Sequence, residues 1–100
     1  MKIGYVQTSP IFGEKEKNFK QVKDLLNDVK ADLIVLPELF ATGYTFVSKK
    51  EAKSFAEPPV GKTSEFLIDL AKKTNALIVA GFIEKENSQI YNSSLIVSNK

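Results

Sequence analysis

The chain has 100 residues, of which 43% are hydrophobic, a formal net charge of +2, and no Cys or His. This length fits one small domain or part of a larger one, and the lack of Cys excludes disulfides and thiolate metal sites within it. All 14 basic residues are Lys, whereas bidentate recognition of phosphates and guanines favours Arg, so nucleic-acid binding is not expected. The sequence has no membrane-length apolar run and no signal peptide, and the lack of Cys fits a reducing compartment, so we expect a cytoplasmic protein without a membrane partner. No metal ion or cofactor is expected.

The first third of the chain has the pattern of a strand, a helix and a second strand. Residues Lys2 to Gln7 are the first strand candidate. From Glu14 to Lys30 apolar residues recur at spacings of three and four, which predicts an amphipathic helix. The four apolar residues Leu33 to Leu36 are typical of a strand buried on both faces. Short connections between these elements predict a right-handed βαβ unit with a parallel pair of strands.

The remaining residues predict a long loop, a helix and a hairpin. Pro37 to Gly61 is irregular, with one helical turn expected near Lys49 to Ala56. A second helix is expected from Lys62 or Thr63 to Thr74, with Asn75 as a left-handed stop. Leu77 to Ile83 and Ile90 to Val97 are the last strands. The polar turn between them is too short for a crossover helix, which predicts an antiparallel hairpin.

The chain closes on Ser98-Asn99-Lys100, a turn signal directly after a strand. A turn at this point leads us to expect that more chain follows. The last strand would otherwise be a bare sheet edge, which natural domains avoid.

Glu38 is the first candidate for chemistry. It follows the second strand directly after Pro37, which cannot continue a strand ladder. In parallel α/β sheets the carboxyl ends of the strands are where ligands and catalytic groups gather. The sequence therefore predicts a poorly solvated carboxylate that is suited to general-base catalysis. The chain contains no Cys or His for such a base to activate.

Several segments together resemble the nitrilase, or carbon–nitrogen hydrolase, superfamily. The opening strand, the run Leu33 to Glu38 with Thr42-Gly43-Tyr44, then Gly61, Ile78 to Gly81 and Tyr91 to Ser94 follow the order of that family. The resemblance covers essentially all of this chain and well under half of a typical member. It implies an α/β fold, a nitrilase-like αββα sandwich, of which residues 1–100 are the N-terminal β-α-β-loop-α-β-β portion of a single domain without an internal boundary.

The resemblance also implies a chemistry, the hydrolysis of amide, carbamoyl or nitrile C–N bonds by a Glu-Lys-Cys triad. Glu38 matches the position of the general base, and Tyr44 is expected to line the substrate pocket. The Lys and the Cys are expected beyond position 100, because Lys100 lies in a turn and does not match the family's Lys. Family members commonly form homo-oligomers, and a small amide or nitrile is the implied substrate. Asn92 is expected to satisfy local backbone groups rather than bind substrate.

Two other functions remain open at this point. A metal-dependent phosphoesterase of the endonuclease/exonuclease/phosphatase type also uses an αββα sandwich with a Glu after a buried strand. Two features argue against this alternative: Pro37 occupies the place where such enzymes would have a Gln, and the opening strand lacks the Asn that they use near their metal ion. The second alternative is a non-catalytic protein, a truncated scaffold or partner subunit, whose exposed sheet edges would favour association.

Overall fold

The computed structural model describes residues 1–99, so Lys100 and its comparison with a catalytic Lys lie outside the described residues. One sheet has its strands in the order β1-β2-β3-β4. The β1–β2 and β2–β3 pairs are parallel and the β3–β4 pair is antiparallel, which confirms the predicted parallel pair and hairpin. In chain order the elements are β1 (Ile3–Tyr5), α1 (Lys15–Leu25), β2 (Leu33–Val35), α2 (Lys49–Phe55), α3 (Lys62–Thr74), β3 (Leu77–Glu86) and β4 (Gln89–Val97).

Helix α3 matches its predicted bounds, and local chemistry sets both of its ends. At the start, the Ser64 hydroxyl accepts a hydrogen bond from the Gly61 amide at 2.8 Å. At the end, Asn75 adopts φ 57° and ψ 34°, the left-handed conformation that terminates a helix. Within residues 1–99, no helix is long and apolar enough to cross a membrane.

Several element boundaries differ from the prediction: β1 is shorter than Lys2 to Gln7, β2 ends before Leu36, and turn-forming residues shift the end of α1 and the hairpin turn. Helix α1 ends at Leu25 rather than Lys30; the following turn contains Asp28, whose φ of 66° a helix cannot accommodate. The hairpin is longer than predicted, since Glu86 pairs with Gln89. Its turn is reduced to two residues, and Asn87 adopts φ 57° there, as tight hairpin turns require.

The helices α1 and α3 pack on one face of the sheet and form the main hydrophobic core with it. Alternate strand residues point into this core, including Ile34 and Ile78, which are 1% and 0% exposed. Burying a side chain of this size stabilises the fold by about 1.5–3 kcal/mol. The buried residues of this main core are Val6, Phe19, Val22, Ile34, Leu36, Phe40, Ala41, Leu67, Leu70, Ala71, Ala76, Ile78 and Ala80.

The opposite face of the sheet, which we call the open face, is apolar and exposed. Tyr5, Val35 and Ile96 are 81%, 39% and 70% exposed on it. The prediction that the second strand is buried on both faces is therefore wrong for the described residues. The physical reason is that α1 and α3 cover one face only, whereas the apolar run of β2 suits a strand covered on both. Such a face agrees with the second sheet that the resemblance implies.

Leu77, on the open face at the start of β3, gives a test of whether this face is covered in the complete gene product. It is 45% exposed here. If a second sheet covers it, Leu77→Gln should lower the free energy of unfolding by about 2 kcal/mol, because a buried amide replaces an apolar side chain. The loop residue Val60, 82% exposed, is the matched control. Val60→Gln should change the free energy of unfolding by less than about 0.5 kcal/mol. Equal effects in urea denaturation would contradict the covered face.

Candidate active site

Glu38 lies where the chain leaves β2 and turns over the sheet. The Leu36 amide still donates to the Val79 carbonyl at 2.8 Å, and regular pairing stops at Pro37. Leu39 then adopts φ 51°, and its carbonyl accepts hydrogen bonds from the amides of Thr42 and Gly43 at 3.2 and 2.9 Å. A left-handed Leu is uncommon and is held here by the turn around it. The backbone of Glu38 is therefore fixed on both sides.

The Glu38 side chain borders a groove of about 270 Å³ on the open face. Strand alternation explains the position, since Val79, Gly81, Asn92 and Ser94 lie on the same face of the hairpin. The groove therefore opens on the side of the sheet that α1 and α3 leave uncovered. Its lining consists of Val35, Leu36, Glu38, Val79, Ala80, Gly81, Asn92 and Ser94.

Glu38 is exposed in this structure, so the prediction of a poorly solvated carboxylate is wrong for the described residues. The cause is the same as for Val35: the carboxylate lies on the open face, which α1 and α3 do not cover. Glu38 also forms no ion pair within this part of the chain. A second layer on the open face would remove water from the carboxylate, and the described residues do not place such a layer over Glu38.

Asn92 is the side chain that contacts the Glu38 carboxylate. Its amide Nδ2 donates to Glu38 Oε1 at 3.3 Å across 54 positions of sequence. The expectation that Asn92 satisfies local backbone groups is therefore not what the structure shows. Gly81 favours this close approach of the two segments, because a Cβ there would lie 3.2 Å from the Glu38 Cα and 3.4 Å from the Leu39 nitrogen, tighter than most Cβ contacts.

Asn18 of α1 holds the loop that follows Glu38. It is 2% exposed, and its Nδ2 donates to the carbonyls of Ala41 and Ile11 at 2.7 and 2.8 Å. Its Oδ1 accepts from the Ile11 amide at 2.7 Å. A buried amide with all these bonds satisfied fixes the loop against the helix layer. The bond from Asn18 to Ala41 joins residues 23 positions apart. The local sequence pattern therefore did not reveal this role.

Tyr44, the predicted substrate-binding residue, lies beside the Glu38 groove rather than in it. Its side chain is 70% exposed. It borders a neighbouring depression together with Tyr5 and Pro37, and the two depressions share Val35 and Leu36. The structure thus brings Tyr44 to the same edge of the sheet as Glu38 without placing the two side chains in contact.

Glu57 anchors the far end of the long loop. Its backbone bridges to β3, with the Glu57 amide 2.9 Å from the Ile83 carbonyl and the Lys85 amide 2.8 Å from the Glu57 carbonyl. Its side chain accepts from Lys15 Nζ at 2.7 Å, from the Thr63 amide at 2.8 Å and from the Thr63 hydroxyl. Burial acts to raise the pKa of Glu57, but the bonds from Lys15 and Thr63 outweigh it and the pKa is lowered.

The site as described offers one carboxylate with one amide donor beside it. A carboxylate in this position can accept a proton and return it. Residues 1–99 contain no group of three or more His, Cys, Asp or Glu side chains that could hold a metal ion. A thiol nucleophile is also lacking, because the chain has no Cys.

Comparison with known proteins places these features in a family. The family model described as carbon-nitrogen hydrolase matches residues 2–100. A nitrilase of Pyrococcus abyssi is 41% identical over 101 residues, covering 97% of this chain and 38% of that protein. An (R)-stereoselective amidase of Pseudomonas sp is 30% identical over 100 residues, covering 98% of this chain and 36% of that protein.

Solved structures give the same result for the fold. A crystal structure of an N-terminal amidase superposes with a TM-score of 0.88 at 26% identity, covering 97% of this chain and 25% of that chain. This chain therefore spans well under half the length of the relatives that it matches. The predicted fold class is confirmed by these similarities.

Proposed function

This chain belongs to the carbon–nitrogen hydrolase family, and on that premise we propose that it is the N-terminal portion of a single hydrolase domain with Glu38 as its general base. The proposed reaction is hydrolysis of a non-peptide C–N bond in a small amide, carbamoyl compound or nitrile. The relatives that carry the names nitrilase and amidase support this substrate class.

The observation that carries the proposal is the position of the Glu38 carboxylate. It lies at the carboxyl end of a central parallel strand, beside a polar groove on the open face. That is the edge of an α/β sheet where reacting groups are commonly placed. The groove faces the side on which a second sheet of an αββα sandwich packs, so residues from that layer can reach Glu38.

The proposed mechanism assigns one proton route to Glu38. A Cys thiol, from chain beyond these residues, passes its proton to the Glu38 carboxylate as sulfur attacks the carbonyl carbon. A Lys cation, also from beyond these residues, stabilises the oxyanion that forms. Glu38 then gives the proton to the departing amine as the C–N bond breaks. Water hydrolyses the resulting thioester, with Glu38 accepting a proton from that water and the thiol being restored.

Tyr44 is proposed to border the entrance for substrate, since it lies at the same sheet edge as Glu38 and is 70% exposed. An exposed Tyr offers both an apolar ring and a hydroxyl to a small polar ligand. Association into homo-oligomers and a cytoplasmic location are further predictions that the family resemblance and the composition suggest. Both are checked on the complete gene product, by light scattering and by cell fractionation.

The isolated 100-residue chain is expected to show no amidase or nitrilase activity. It contains no Cys, and losing one member of a catalytic unit removes most of its rate enhancement. The measurement is ammonia release from a panel of short amides, carbamoyl compounds and nitriles, with the complete gene product assayed in parallel. Turnover by the isolated chain that disappears in Glu38→Gln would contradict the proposed mechanism. A complete product inactive on the whole panel would contradict the substrate class.

A further inference from the structure

We propose that Asn92 is a positioning residue for Glu38, an inference that rests on the proposed function and adds a second residue to it. The Asn92 amide holds Glu38 Oε1 through the 3.3 Å hydrogen bond. The other carboxylate oxygen, Oε2, accepts no hydrogen bond within residues 1–99. The geometry therefore divides the carboxylate into one oxygen that is held and one that is left to exchange protons with the reactants.

The hairpin places Asn92 where this contact is possible. In the hairpin, Asn92 pairs with Ile83 and Ser94 pairs with Gly81. Asn92 therefore lies on the open face, two positions before Ser94. Gly81 has no side chain, and the loop carrying Glu38 passes directly over it. The strand β4 thus presents an amide to a carboxylate that arrives from β2 across the intervening strand β3.

No other side chain of residues 1–99 restrains the Glu38 carboxylate. The turn at Leu39 fixes the backbone, but the side chain of Glu38 is exposed and has rotatable bonds of its own. A neutral amide is suited to holding it, because it donates a hydrogen bond at any pH and does not compete for the transferred proton. Misplacing a catalytic group by about 1 Å can lower the rate by about 100-fold.

The test is a kinetic comparison of Asn92 variants in the complete gene product. Asn92→Ala is expected to lower kcat by about 10- to 100-fold with KM changed less than about twofold, since Asn92 acts through Glu38 and not through substrate. Asn92→Asp keeps the shape of the side chain but cannot donate when ionised and repels Glu38, so its kcat should fall further. A steric role for residue 92 would instead be preserved by the isosteric Asp.

Ser93→Ala is the matched control. Its hydroxyl donates to Glu84 Oε1 at 2.7 Å, so this variant also removes a hydrogen bond between β4 and a carboxylate, at a position that does not contact Glu38. It should leave kcat within about twofold of the wild-type value. The thermal midpoints of Asn92→Ala and Ser93→Ala should both lie well above the assay temperature, so that a loss of kcat in Asn92→Ala does not come from unfolding.

A double substitution separates this inference from the proposed function. In a Glu38→Gln background, Asn92→Ala should lower the residual kcat/KM by less than about twofold, because residues that act as a unit are not additive. The positioning role would be overturned if the losses of kcat/KM in the two single variants multiplied in the double variant. It would also be overturned by a wild-type kcat in Asn92→Ala, or by an Asn92→Asp variant as active as the wild type. If Glu38→Gln itself keeps wild-type activity, the proposed function fails instead.

Discussion

Replacing Glu38 by Gln in the complete gene product is expected to lower kcat by about 1,000-fold or more, with the fold retained. Gln preserves the size of the side chain and an oxygen for the Asn92 amide, but it cannot accept the proton of the thiol. General-base catalysis contributes about 100- to 10,000-fold, and a base that serves both half-reactions lies at the upper end of that range. Ammonia release under saturating substrate measures the effect.

Glu86 supplies the control for this substitution. It is an exposed carboxylate at the hairpin turn of the same sheet, so Glu86→Gln makes the same change of charge away from the groove. Its kcat should stay within about twofold of the wild type, as expected for a surface change far from the reacting atoms. A Glu38→Gln protein that keeps more than about a tenth of the wild-type rate would remove Glu38 from the role of base.

Replacing Glu57 by Gln is expected to lower the free energy of unfolding by about 2–3 kcal/mol at pH 7. The Lys15 and Glu57 side chains are only 18% and 12% exposed, so removing one charge leaves the other partly buried without its partner. The bond network around Thr63 at the start of α3 is weakened as well. Urea denaturation measures this, with the exposed pair Lys20–Asp24 as the control. Asp24→Asn should cost less than about 1 kcal/mol.

The stabilisation from Glu57 should also depend on pH with a defined sign. The pKa of Glu57 is lowered below its ordinary value of 4.5, so the unfolded chain binds this proton at a higher pH than the folded chain. The stabilisation of the fold by the Glu57 carboxylate is fully present above about pH 4.5 and is lost as the pH falls through the lower pKa that Glu57 has in the folded state. The stability difference between wild type and Glu57→Gln should therefore shrink below pH 4.5. A difference that grows on acidification would rule out this ion pair as its source.

Local sequence patterns were sufficient for most of the elements of the fold. The apolar spacing from Phe66 to Ala71 sets α3, and Asn75 marks its end, because these signals act within one or two helical turns. Pro37 likewise ends β2 by a local effect, the loss of a backbone donor. The position of Glu38 at the sheet edge followed from these elements.

Contacts between distant segments were beyond what local patterns contain. The Asn92–Glu38 bond joins residues 54 positions apart, and the Lys15–Glu57 pair joins residues 42 positions apart. Each depends on how the hairpin and the long loop pack, which no window of neighbouring residues specifies. The exposure of Val35 was missed for a different reason. Its apolar run suits a strand that is covered on both faces, whereas the described residues cover one.

The role of Glu38 is tested most directly by the intact mass of the natural gene product after brief treatment with iodoacetamide, followed by an assay of hydrolysis. We expect a protein more than twice the 11.1 kDa of this chain, which loses its hydrolytic activity when one Cys gains a single carbamidomethyl group. A product that ends at Lys100, or a longer one that keeps full hydrolytic activity after all its cysteines are alkylated, would contradict the claim that Glu38 is the base of a cysteine-dependent hydrolase.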